Sequence, residues 1–87
     1  MPAYLAWTAE PPEDLDGPWT EARPVAPGLL LIDSTEHLSA VYHALKWSLP
    51  DDAALVVVPL HETPKLRGLA PGTTTWLRER TVPQQRT

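Results

Sequence analysis

Two short apolar runs with one helical pattern between them constrain this chain more than any other feature. Leu29-Leu30-Leu31-Ile32 is continuous apolar sequence closed by Asp33, and Leu55-Val56-Val57-Val58 is a β-branched run too short to prefer a helix. Between them Leu38, Val41, Tyr42, Leu45 and Leu49 recur at spacings of three and four residues. That spacing puts them on one helical stripe, with Glu36, Ser39, His43 and Lys46 pointing away. The order is therefore strand, helix, strand, with the helix at about residues 35–49. Ser34 or Thr35 supplies an N-cap, Glu36 lies against the positive helix end, and Pro50-Asp51-Asp52 stops the helix and turns the chain. The second strand runs from Ala54 to Leu60, and Pro59 places its end at a sheet edge. A strand apolar on both faces, as Leu29 to Ile32 is, belongs in the centre of a covered sheet or against another subunit.

The flanks add weaker elements. Ala3 to Ala9 reads as a first strand with apolar residues on both faces. Residues 10–18 crowd prolines among carboxylates, which removes amide donors and restrains the preceding residues, so this segment is a loop. Trp19 to Val25 suits an edge strand that tolerates Pro24, and Pro27-Gly28 turns the chain into the core. After Pro71-Gly72, Thr73-Thr74-Thr75-Trp76-Leu77 has strand-like composition, while Thr73 suits equally the cap of a short helix running through Arg80. Residues 81–87 form a basic tail of the frayed kind. The whole reads as one small α+β domain over residues 1–87, a small antiparallel sheet with one main helix.

The succession strand, loop, strand, helix, strand is what a trimmed ferredoxin-like split βαβ domain gives. Leu30-Leu31-Ile32-Asp33, the helix ending at Leu49, the segment from Pro50 to Val58, and Gly72-Thr73-Thr74-Thr75-Trp76-Leu77 resemble the second half of the small bacterial proteins known as the SinR family, relatives of CRISPR-associated protein two. The label is unrelated to helix-turn-helix repressors, and the resemblance covers about residues 28–79. It implies a ferredoxin-like fold, commonly paired into a dimer through its sheets. In the nuclease relatives an aspartate closes the first strand and binds metal. Here that strand ends Trp7-Thr8-Ala9, and a proline-rich loop stands where the family has its first helix. A metal-dependent nuclease therefore loses its main support.

A core built from 87 residues is marginal on its own, so association is expected. The chain has no cysteine, no basic leader and no apolar run long enough for a bilayer, which suits a soluble, cytoplasmic protein without membrane contact. Its net charge of -4 is unevenly spread. Ten acids face only Arg23 and Lys46 through Pro64, whereas Lys65, Arg67, Arg78, Arg80 and Arg86 face only Glu79 beyond it. Such a tail docks on an acidic partner or nucleic acid, or is an ordinary solvated terminus.

No catalytic residue, metal ligand or cofactor emerges. His37 and His43 are six residues apart and on opposite sides of a helix, so they cannot share one metal ion. His61 follows the valine strand and reads as a solvated loop histidine or a base. Asp51 and Asp52 read as a solvated turn, and Asp33 as a helix-starting residue rather than a functional carboxylate. Four tryptophans are many for so small a core, which makes some of them contact anchors. Trp47 lies off the centre of the helical stripe. Trp76 and Leu77 are expected to pack on the domain or its twin while Arg78, Arg80 and Arg86 face a partner.

These residues suit a non-catalytic assembly or adaptor protein acting as a homodimer with a protein partner. A nucleic-acid-binding protein without nuclease activity is the second reading, opposed by the acidic body. A small dimeric ferredoxin-like enzyme using His43 or His61 as base is the third, without a second convergent group.

Overall fold

The computed structural model describes residues 3–10 and 17–82. Among them the chain forms β1 (Ala3–Thr8), β2 (Glu21–Ala26), β3 (Leu29–Asp33), α1 (Leu38–Trp47), β4 (Leu55–Leu60) and α2 (Thr73–Arg78). The strands make one antiparallel sheet in the order β2-β3-β1-β4, an α+β arrangement. β2 and β3 form a hairpin across Pro27-Gly28, and β1 inserts between β3 and β4. The chain thus leaves β3, crosses one face as α1 and returns as β4 with β1 in between.

Alternation along the strands gives the sheet two apolar faces. On the first, Tyr4 and Ala6 of β1 and Leu30 and Ile32 of β3 are buried beneath Val41 and Leu45 of α1. Ala6 and Ala22 are small enough for the helix to approach the sheet, and Trp19 packs at the margin where no helix lies. The stripe is narrower than its spacing suggests: Val41, Leu45 and Leu49 are buried, but Leu38 and Tyr42 are exposed at its flanks.

The helix also starts later than the polar residues predict. Ser34 does not cap it. Its hydroxyl donates to Pro18 O and accepts the Glu36 N–H, so it fixes a bend before the helix. The N-cap is His37, whose Nδ1 accepts the Ala40 N–H at 3.3 Å, and Glu36 therefore lies outside the first turn. Tyr4 secures this entry from the sheet, its hydroxyl donating to Glu36 O at 2.6 Å.

Part of the second face is covered by the C-terminal segment, which adds a short second helix to the one main helix. Ala3, Val25, Leu31, Trp76 and Leu77 form its buried cluster, with Leu66, Leu69 and Ala70 packed alongside. Thr73 to Arg78 is helical, resolving the choice that composition leaves open. The N-cap is Gly72 in the left-handed region, while Thr73 Oγ1 donates to Ala70 O at 2.6 Å. Thr81 and Val82 are not frayed: the Val82 N–H donates to His61 O and Val82 O accepts the Thr63 N–H, a parallel bridge beside Glu62. No helix among the described residues is long and apolar enough to cross a membrane.

Gly28 makes the hairpin possible. Its φ is +76°, its carbonyl accepts the Thr8 N–H at 2.8 Å, and a Cβ there would stand 2.5 Å from Thr8 O. Gly28→Ala combines a left-handed cost of about 1–2 kcal/mol with a backbone clash, so its thermal midpoint should fall by roughly 5–15 °C in a melt followed by circular dichroism.

Candidate functional site

The second sheet face divides into a covered half and an open half. Trp76, Leu77 and Arg80 lie over the end carrying Asp33 and Ala3, whereas nothing among the described residues caps the other end. Trp7, Val56 and Val58 remain 44%, 52% and 42% exposed there. They are neighbours by register, because Trp7 pairs with Val56 and Leu5 with Val58. The apolar side chains of β4 thus exceed what α1 and α2 cover. Leu31 is buried, because α2 supplies the cover.

Between these halves lies a groove of about 280 Å³. Leu5, Leu29 and Leu31 of the sheet form its floor, and Leu66, Leu69 and Leu77 form its wall. Lys65 and Arg67 stand at its rim. Neither cation has an ion-pair partner among the described residues, where every ion pair belongs to Arg80. A leucine-lined hollow rimmed by positive charge offers binding rather than acid-base chemistry. The sequence signals for it were present but scattered: Leu66 and Leu69 flank Arg67 in a stretch with no strand or helix pattern.

The edge of the sheet is the second candidate surface. Among the described residues β4 pairs only with β1. The Thr8 N–H donates toward β3, to Gly28 O, and the next amide, Ala9 N–H, donates to Ala54 O on the β4 side at 3.2 Å. Ladder alternation then directs the backbone groups of Val56 and Val58 to β1 and those of Leu55, Val57 and Pro59 to the free edge. Pro59 therefore costs the sheet no internal hydrogen bond.

The expected partner-binding residues separate. Trp47 is 79% exposed at the end of α1, its ring stacked on His43 at 5.8 Å, with Tyr42 edge-on to His43 at 5.4 Å. Trp76 and Leu77 are buried against the domain. Arg78 is exposed. Arg80 is turned inward: its Nε donates to Asp33 Oδ2 at 2.7 Å, Nη1 donates to Trp76 O at 3.0 Å, and Nη2 lies 3.6 Å from Glu21 Oε1. The guanidinium sits 4.1 Å above the Trp76 ring, whose Nε1–H donates to Glu21 at 3.0 Å. Arg80 is thus occupied by the domain's own carboxylates and not free to face a partner. Arg86 lies outside the described residues, as do residues 11–16 of the acidic loop and residues 83–87 of the tail.

The remaining polar candidates do not converge. His43 lies on α1 and His61 follows β4, both exposed, and Asp51 and Asp52 occupy an exposed turn closed by the Ala53 N–H to Pro50 O bond. Thr8, at the end of β1, exchanges hydrogen bonds with the backbone of Glu10. Among the described residues no group of three or more His, Cys, Asp or Glu is placed to hold a metal ion. Asp33 has a structural partner, but it is Arg80 and not the start of α1; its Oδ1 is buried without one. The chain matches no protein-family model, no curated protein and no solved structure.

Two substitutions separate anchoring from contact. Arg80→Ala leaves the Asp33 carboxylate buried and unpaired, and chemical denaturation should register a loss of about 2–4 kcal/mol, partly recovered when Asp33→Asn is added. Trp47→Ala removes a ring that shields nothing in the core, so the same measurement should change by no more than about 0.5 kcal/mol.

Proposed function

We propose that this protein is a non-catalytic assembly protein whose basic unit is a homodimer, built on a ferredoxin-like sheet with no helix between β1 and β2 among the described residues. The strand order supports the fold reading: β3 and β4 run in the same direction on either side of β1, joined by α1, which is the split βαβ arrangement. Trp19 and Ala22 occupy part of the space that a first helix would fill. The same strand order would suit a relative of the SinR family and CRISPR-associated protein two.

The observation that carries the homodimer is the free edge of β4. Natural edge strands are guarded by charge, by proline, by bulges or by being short, and in β4 Pro59 is the one such residue. Leu55 to Leu60 carries no charged residue, and its outward backbone groups are unpaired by any described element. Two copies of β4 related by a two-fold axis at Val57 would pair every outward N–H, leaving only the Leu55 carbonyl of each copy without a donor because Pro59 has none. Val57 would bond reciprocally to its twin, and each Leu55 N–H would meet the carbonyl of Pro59, the one group that proline still offers. In this register Val56 of one copy lies opposite Val58 of the other, so the two exposed valines cover each other. A closed two-fold pairing also ends the edge, which prevents further strand addition.

Trp47, exposed and stacked on His43, supplies an anchor for a protein partner on the opposite layer, away from the β4 edge's backbone. The nucleic-acid alternative has lost one of its cations, since Arg80 is neutralised by Asp33 and Glu21. The enzyme alternative still has no second group near His43 or His61.

Sedimentation equilibrium should give twice the chain mass at micromolar concentration. Val56→Lys combined with Val58→Lys, both at exposed positions, should yield a folded monomer, because lysines on an edge strand oppose pairing. A wild-type chain that remains monomeric at tens of micromolar would overturn the assembly reading.

A further inference from the structure

The β4 pairing leaves the leucine groove open, since side chains on a sheet face stand perpendicular to the direction in which strands are added. Its floor therefore needs an occupant of its own. We propose that the groove binds a single-chain amphiphile with a carboxylate head, the alkyl chain lying on the half-buried Leu5 and Leu29 and the head meeting Lys65 and Arg67. This does not rest on the homodimer and is testable whatever the oligomeric state.

Three features select this ligand class. The hollow is walled by aliphatic side chains, with leucines from the sheet, from the 64–70 connection and from α2, so its interior favours a flexible hydrocarbon over a polar or planar ligand. Its volume of about 280 Å³ lies just under the range of roughly 300–1,000 Å³ typical of small-molecule sites, too small for a helix or a folded partner. The hollow also continues into a further apolar strip, since Leu5 lies beside Val58, and Trp7 lies between Leu29 and Val56. A chain longer than the hollow has a surface on which to extend.

The rim fixes the polarity of the ligand. Lys65 and Arg67 are separated by one residue, both line the groove, and neither is paired with a described carboxylate. In a chain of net charge -4, two unpaired cations beside an apolar hollow form a local site for an anion. The guanidinium can hold a carboxylate through two parallel N–H donors, which the ammonium supports as a point charge. Leu66 lies between the two cations in sequence and joins the apolar wall, so the head and the start of the tail are met by consecutive residues.

Binding can be followed by titration calorimetry and by the fluorescence of Trp7 on the apolar strip beside Leu29, using octanoate, decanoate and decanol below their micelle-forming or solubility limits. Decanoate should bind saturably, several-fold tighter than octanoate because two more methylenes are buried, and at least ten-fold tighter than decanol. Lys65→Gln with Arg67→Gln should weaken decanoate about ten-fold, leave decanol unchanged and preserve the circular dichroism spectrum. Trp7→Phe should abolish the fluorescence response while calorimetric binding persists. Absence of saturable decanoate binding, equal affinity for decanoate and decanol, or indifference to the double substitution would each overturn the proposal. So would a groove already covered by a second copy, recognised if Leu69→Glu lowers the sedimenting mass of the ligand-free protein and decanoate does not bind.

Discussion

A sheet with two apolar faces and only one long helix forces the rest of this structure. β1 and β3 are central strands, and their leucines, isoleucine and alanines alternate to both sides with no polar face to leave in water. α1 satisfies one side with Val41 and Leu45. The other side must recruit the C-terminal segment, whose apolar residues are sparse: Leu66, Leu69, Trp76 and Leu77 do the covering. A helix as short as Thr73–Arg78 has little stability of its own, because nucleating a helical turn fixes several dihedrals for one hydrogen bond. It persists through burial of Trp76 and Leu77, and through Arg80, which reaches from its C-terminal side to Asp33 and Glu21 at the ends of β3 and β2. The buried carboxylate and the guanidinium thus act as a clamp that fixes where the covering layer sits. A buried pair of this kind is weak evidence for net stability, since desolvation opposes its attraction. Its contribution is to make one position of α2 preferable to any other.

The location of that clamp also decides what stays open. Because Arg80 draws α2 toward Asp33 and Ala3, the opposite end of the same face keeps Trp7, Val56 and Val58 exposed, and the connection from β4 to α2 spans the boundary and creates the leucine groove. The open surfaces are therefore a by-product of insufficient apolar sequence, distributed by one electrostatic contact. A longer α2 would close both the strip and the groove.

How much of this the sequence discloses follows from how local each signal is. The elements of residues 29–60 are legible because each depends on its own side chains: a β-branched run, a three-and-four periodicity, a proline stop. Even there His37 rather than Ser34 caps α1, since Ser34 is taken by Pro18 O from a distant loop. The exposure of Trp47 is legible from its offset on the stripe. The inward turn of Arg80 is not, because it depends on Asp33, 47 residues earlier, standing at the end of a strand beneath it. The groove is likewise hidden: its floor and wall come from three separate stretches, none of which carries a motif, and only the fold places Lys65 and Arg67 beside leucines of β1 and β3.

The two open surfaces differ in what can satisfy them, and this argues that they serve different occupants. The β4 edge exposes backbone donors and acceptors, whose demand is directional and is met only by another extended chain. The groove exposes aliphatic carbon, whose demand is non-directional and is met by any hydrocarbon of suitable bulk. Specificity at the edge must come from register, which Pro59 restricts by removing one donor. At the groove it must come from the rim, because leucines barely discriminate between one aliphatic chain and another. Under the two proposals, charge at Lys65 and Arg67 would do for the groove what proline would do for the edge: exclude the many partners that the apolar surface alone would accept.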